Sequence, residues 1–220
     1  GHWRIPPSRL AGRAALAAEV DTMNFVWVWF MPVIGLSASA AALVGNNVGA
    51  GRPERARRLL WTCVGIDLAG WAVTSALVYA ARDDIAALLT SDPQIQALIA
   101  PCLAVYTLAG FADSAQNVMA GGLRGLGQQG FAALVIFGCF WGVLLPLAAL
   151  MVFVVAPPGG RAAQLLGIWQ SFGAGTALAA AIFTTAIARF DFRAFIPREQ
   201  GLGELAPEAE YVRFAPKAES

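Results

Sequence analysis

The chain has 220 residues, a net charge of +1, and 13% charged against 58% hydrophobic residues. A soluble domain carries about a quarter charged residues, so an ordinary soluble domain is excluded. The near-zero net charge excludes a strongly basic nucleic-acid binder and an acidic solvating protein.

Residues 1–13 form a polar N-terminal segment with Pro6 and Pro7. A helix is expected to begin near Ser8 or Leu10 and to run into a first apolar stretch, residues 22–45. Glu19, Asp21 and Asn24 stand where it enters the membrane. They line a vestibule or belong to a solvated helix start, since acids suit helix N-termini. Pro32 is expected to bend this helix in mid-membrane, eased by Gly35. It closes on Gly45-Asn46-Asn47-Val48-Gly49-Ala50-Gly51-Arg52-Pro53. Glycine and asparagine accept the left-handed conformation of a helix end, and proline cannot continue a helix. A cap with a tight turn therefore accounts for Gly45, Asn46, Gly49 and Gly51 better than a phosphate loop, whose Lys and Ser/Thr are missing.

The arginine-rich residues 52–58 are read as a topology determinant, with contact to anionic lipid as a secondary role. A second apolar stretch covers 59–81, and 82–96 is read as a loop with three aspartates. The third and fourth stretches are 97–121 and 131–156, the latter with Pro146. A Pro157-Pro158-Gly159-Gly160 turn leads to the fifth, 162–188. Residues 190–220 form a cytoplasmic tail, largely disordered from Pro197. Each stretch can cross a bilayer core, which takes about 20 helical residues, and together they hold only two charges, Asp67 and Asp113. Soluble helices would carry polar stripes. The fold class is therefore all-α integral membrane: a polytopic bundle of about five transmembrane helices over residues 14–189. It makes a multi-pass protein of a plasma or organelle membrane, with the lipid bilayer as its first partner and no nucleic acid.

Arg52, Arg55, Arg57, Arg58, Arg124, Arg189, Arg193 and Arg198 fall on one side, against Arg4, Arg9, Arg13, Arg82 and Arg161 on the other. The positive-inside rule places the larger set in the cytoplasm. Trp61 and Trp169 suit interfacial belts; Trp27, Trp29, Trp71 and Trp141 read as packing residues. Small-residue runs at 37–42 and 173–181 allow close helix contact.

Asp113 is the sharpest chemical signal. A carboxylate at the centre of a membrane helix costs at least ~2.5–3.5 kcal/mol on insertion scales. Tyr106, Gly110, Gln116 and Asn117 share its helical face, which makes a polar stripe on an apolar helix. A carboxylate so placed can exchange a proton or Na⁺ for an organic cation; the competing structural reading is a hydrogen-bond node between helices. Asp67 has no such stripe and reads as a near-interface or inter-helix polar contact. Cys63, Cys102 and Cys139 all lie in apolar stretches, and the one histidine is His2, so a disulfide framework, a His-based metal site and redox chemistry are disfavoured. Ser37, Ser39 and Ser75 have no histidine partner, which disfavours a serine protease; an enzyme is not expected.

At these residues the sequence resembles the multidrug and toxic compound extrusion (MATE) family. Residues 32–40, Pro-Val-Ile-Gly-Leu-Ser-Ala-Ser-Ala, followed by Val44-Gly45-Asn46-Asn47-Val48-Gly49-Ala50-Gly51, resemble its P-x-G-L-S-A-A … V-G-N-x-L-G-A-G helix end. Asp113-Ser114-Ala115-Gln116 and Gly122-Leu123-Arg124-Gly125-Leu126-Gly127-Gln128-Gln129 resemble its D-x-x-Q … G-x-x-R-G-x-G-x-Q segment. Leu145-Pro146-Leu147 and Gly167-Ile168-Trp169 resemble the motifs of the two helices that follow. The chain departs from the family at Asn46-Asn47, at the apolar residues before them, and at Glu19, where bacterial members often have histidine.

The resemblance implies two six-helix lobes, with this chain as helices eight to twelve of the C-terminal lobe. It implies that the N-terminal lobe, or a full-length relative, is the partner. It also implies that Asp113 takes part in cation coupling, with proton favoured over sodium, and that the only cofactor is an H⁺ or Na⁺ gradient. The expected function is secondary antiport of organic cations, drugs or secondary metabolites, with Tyr106, Gln116 and Asn117 shaping the Asp113 site. The alternatives are a non-transporting truncated membrane protein that pairs with a full-length relative, or a lipid-linked saccharide flippase of the same superfamily. The flippase is disfavoured because the apolar stretches contain no Lys or Arg.

Overall fold

The computed structural model describes residues 7–155 and 160–195. The 157–160 turn and the 190–220 tail expected from sequence lie mostly outside the described residues. Helix α1 (Pro7–Gly49) is followed by α2 (Pro53–Ala80), α3 (Arg82–Leu89) and α4 (Pro93–Gly125). The next crossing is composite: α5 (Gln129–Cys139), a π-helical turn at Phe140–Leu144, α6 (Leu145–Leu150) and a second π-helical turn at Met151–Val155. Helix α7 (Arg161–Arg189) makes the last crossing, and a short 3₁₀ turn, Phe192–Phe195, follows it. Five of these segments are long and apolar enough to cross a membrane.

Residues 82–96, read as a loop, instead hold the short helix α3. Asp83 and Asp84 fall in its first turn, where carboxylates offset the unpaired N–H groups and the positive end of the helix dipole. Asp92 then caps α4: its Oδ1 accepts from the Gln94 amide N–H at 2.9 Å, and Pro93 sits at the first helical position, where its missing N–H costs nothing. The aspartates that suggested a loop are the residues that start two helices.

α1 ends at Gly49, within the 45–53 segment expected to close it. It ends in a Schellman turn: the Arg52 N–H reaches the Asn47 carbonyl at 2.8 Å and the Gly51 N–H reaches Val48 at 3.0 Å, with Gly51 at φ 70°. α4 ends the same way, through Gln128 to Leu123 at 2.8 Å and Gly127 to Arg124 at 3.0 Å, with Gly127 at φ 74°. Both glycines supply a left-handed conformation that a side chain would strain. Pro32 lies inside α1 without interrupting it. Before Pro146 the helix widens, and the Leu145 N–H reaches back to the Phe140 carbonyl. Such a π turn lets a membrane helix absorb proline while keeping its backbone groups paired.

α4 is the centre of the bundle, packed against α1, α2, α3, α5 and α7. In a bilayer, lipid tails are as apolar as the side chains, so helices associate by close van der Waals packing and polar contacts rather than by escape from water. Glycine provides that approach. A Cβ on Gly121 would collide with the Ser37 carbonyl, one on Gly125 with the Ala41 carbonyl, and one on Gly110 with the Trp71 ring. A Cβ on Gly45 would lie 3.2 Å from the Gly125 carbonyl oxygen, and one on Gly173 of α7 would lie 2.9 Å from the Ala109 Cβ. Large apolar residues point outward on every crossing, among them Val28, Val73, Leu108, Phe153 and Leu178.

Candidate functional site

Asp113 lies deep in α4, 6% exposed. Tyr106, two turns earlier, donates its hydroxyl to Asp113 Oδ2 at 2.9 Å. Gln116, one turn later, donates Nε2 to Oδ1 at 3.2 Å. Asn117 turns its amide to the Asp113 backbone carbonyl at 3.1 Å, and its own carbonyl accepts from Ser37 Oγ of α1 at 2.6 Å. The helical period thus puts a donor on each carboxylate oxygen, an arrangement suited to the ionised form. Gln116 Oε1 is left buried without a partner.

Tyr106 stands in an aromatic box drawn from three other helices. Its ring lies 5.8 Å from Trp29, 5.7 Å from Trp71, 5.4 Å from Trp169 and 6.1 Å from Phe172, while Trp29 stacks on Trp71 at 4.4 Å. Trp71 Nε1 donates to the Thr107 carbonyl at 3.2 Å, and Ser75 donates to the same oxygen at 3.3 Å. These contacts hold α2 against the α4 turn that carries Tyr106.

The site opens into a cavity of about 490 Å³ between α1, α4, the composite crossing and α7. Tyr106, Asp113, Gln116 and Asn117 line it together with Trp27, Phe30, Phe140, Trp169 and Phe172. Three sequence expectations change here. Trp169, read as an interfacial residue, is 2% exposed and donates its indole N–H to Glu19 Oε2 at 3.0 Å. Glu19 is half-buried and is no helix start, because α1 begins at Pro7. The membrane helices do carry a cation near the site: α4 extends through Arg124, which lines the same cavity and donates to Ser37 Oγ at 2.9 Å. The absence of Lys and Arg that argued against an anionic ligand therefore does not hold.

Glu19 is tied to the aromatic box through Trp169, but Glu19, Asp21 and Asn24 do not line the cavity. Asp21 is half-buried and Asn24 exposed. The four helix-end residues serve helix geometry. Gly45 packs on Gly125, Asn46 accepts the Ala50 N–H at 3.0 Å, and Gly49 and Gly51 close the turn. Asp67 is an inter-helix residue, 5% exposed, near Ser114 of α4.

Sequence reasoning missed Ser37, Arg124 and Trp169 as neighbours of Asp113. Ser37 and Trp169 lie 76 and 56 positions from it by number, with no local period to link them, whereas Arg124 stands 11 positions on, three turns along the same face of α4, where the 3.6-residue period reaches it.

A family model described as MatE matches residues 7–150. The chain belongs to the MatE family and is a multi-pass integral membrane protein. It is 30% identical over 200 residues to the Multidrug resistance protein PmpM of Pseudomonas aeruginosa, covering 90% of this chain and 41% of that one. It is 29% identical over 182 residues to the human Multidrug and toxin extrusion protein 2, covering 81% of this chain and 29% of that one. The crystal structure of the eukaryotic MATE transporter AtDTX14 superposes with a TM-score of 0.77 at 20% identity, over 86% of this chain and 42% of that chain. That likeness establishes the shared fold. The chain spans less than half the length of these relatives.

Proposed function

We propose that this chain supplies the coupling lobe of a secondary antiporter that exports organic cations or drugs in exchange for H⁺, with Na⁺ as the less favoured ion. One observation carries the reading: a buried carboxylate, Asp113, at the wall of an aromatic-lined cavity within a membrane bundle. Aromatic faces and a carboxylate are complementary to a large, weakly hydrated cation. At about 4 Å, a cation gains about 4 kcal/mol from a carboxylate at an effective dielectric of ~20, against about 1 kcal/mol in bulk water. Protonating Asp113 removes that attraction, so proton and substrate compete for one group.

Tyr106 and Gln116 provide the response to the proton. Both donate to Asp113, and a protonated carboxyl must itself donate. Gln116 can meet it by turning its amide and offering Oε1, the oxygen now without a partner. The hydrogen bonds then rearrange on the α4 face that also holds Asn117 and, through it, Ser37 of α1. Export by rocking of two lobes about a midplane site makes a second lobe the necessary partner. The relatives' names, for multidrug resistance and toxin extrusion, support the substrate class.

The test uses the complete transporter carrying this sequence, reconstituted in vesicles with a fluorescent organic cation and an imposed pH gradient. Asp113→Asn is expected to insert normally and to reduce gradient-driven efflux to the level of empty vesicles. Gradient-driven efflux at the wild-type rate in that variant overturns the proposal.

A further inference from the structure

Asp67 is, with Asp113, one of the two buried acids among the described residues, and nothing in the site described above uses it. It sits on α2 with 5% of its surface exposed, and its Oδ2 has no hydrogen-bond partner. The Ser114 hydroxyl lies near it on α4, and Ser114 follows Asp113 directly. The two carboxyls are near enough to act on each other electrostatically. A lone carboxylate at this depth is costly and by default marks a functional position, and an unmet buried acceptor adds to that cost.

The surroundings leave little to neutralise it. α4 presents Asp113 and Ser114. α2 places Cys63 and Trp71 one turn away on either side. α1 carries no charged residue between Asp21 and Arg52, and the acids of α3 lie beyond the far end of α2. Arg193 lies by the opposite end, paired with Glu54. Among the described residues no cation reaches Asp67.

We propose that Asp67 is a second proton-carrying residue of the coupling unit, holding a proton behind α4 where the transported cation cannot displace it. This rests on the antiport reading. Asp113 lines the cavity and Asp67 does not, so the two acids have different partners: Asp113 meets substrate or proton, Asp67 meets the proton alone. Asp67 of α2 packs against α4 beside Ser114, the residue next to Asp113, so charge on one acid disfavours charge on the other. The Asp67 carboxyl takes up its proton on one side and releases it on the other as the lobes rock, so each cycle moves one proton beyond the one exchanged at Asp113.

The experiment is the number of protons exchanged per organic cation, measured in vesicles from the drug gradient that just balances a set pH gradient. Asp67→Asn is expected to lower this ratio by one, with drug affinity within about twofold of wild type, and Asp67→Glu to restore it. An unchanged ratio in Asp67→Asn overturns the proposal. A second measurement needs no variant: a hydrophobic carbodiimide, which modifies protonated carboxyls within a bilayer, is applied to the wild-type transporter and its adducts are mapped by mass spectrometry. Adducts on both Asp67 and Asp113 support the proposal, and labelling of Asp113 alone overturns it. Failure of the underlying reading looks different: wild-type drug flux would then ignore the pH gradient altogether.

Discussion

At the scale of single residues, glycine decides how closely this bundle closes. Gly121 lies against the Ser37 carbonyl with no room for a methyl group, whereas Gly35 faces open space. Gly121→Ala is expected to cost about 1–3 kcal/mol, the range for overpacking a close contact, because the obstacle is backbone and cannot rotate away. Gly35→Ala is expected to be neutral or to stabilise by up to about 1 kcal/mol, the usual gain of alanine over glycine within a helix. Thermal unfolding of the two variants in one detergent compares them directly. The same contact bears on the site, since Ser37 receives Arg124 and donates to Asn117. A lowered melting temperature in Gly121→Ala should therefore come with weaker binding of the cationic drug.

At the scale of elements, the ends of the helices are specified more locally than their faces. Asp92 caps α4 through a single hydrogen bond to Gln94, and Asp92→Ala is expected to destabilise by about 1 kcal/mol. Its effect should register as faster amide hydrogen exchange confined to the first turn of α4. The tight turns at Gly51 and Gly127 follow from positive φ and are legible in sequence as glycines just past a helix end. The identity of a central helix is less legible. α4 and the composite crossing are both apolar enough to span a membrane, the composite crossing the more so, yet α4 packs against five other helices, while no residue of the π-helical turns or α6 is buried. Hydropathy reports the sum of burial in lipid and burial in protein, and it does not separate the two.

At the scale of the molecule, the arginine-rich ends of the helices gather at one end of the bundle. Arg57 of α2 donates to the Ala188 carbonyl of α7 at 2.6 Å, and Arg193 meets Glu54 at 2.6 Å. The Glu54 carboxylate holds the Arg193 guanidinium above its usual range. Both partners are well exposed, and water and salt screen such a pair. Glu54→Gln is expected to leave the melting temperature unchanged at physiological ionic strength, checked by thermal unfolding at low and high salt. The orientation expected from the positive-inside rule would put this end in the cytoplasm. Outward-facing apolar residues on all five crossings suit lipid and a second lobe.

The sequence by itself determined the elements whose cause is local. Length and hydropathy marked five crossings, the glycines marked two helix ends, and the 3.6-residue period placed Tyr106, Gln116 and Asn117 beside Asp113, because all four share one helix. The tertiary structure alone decided what comes to that face from elsewhere in the chain. It brought Trp169 inward from the expected interface, carried Ser37 of α1 to the Asn117 carbonyl, and set Asp67 against α4 across the α2–α4 contact. Those positions follow from how closely the helix backbones approach and how they are rotated about their axes. Both are set by small residues on two helices at once, and no single stretch of sequence contains both.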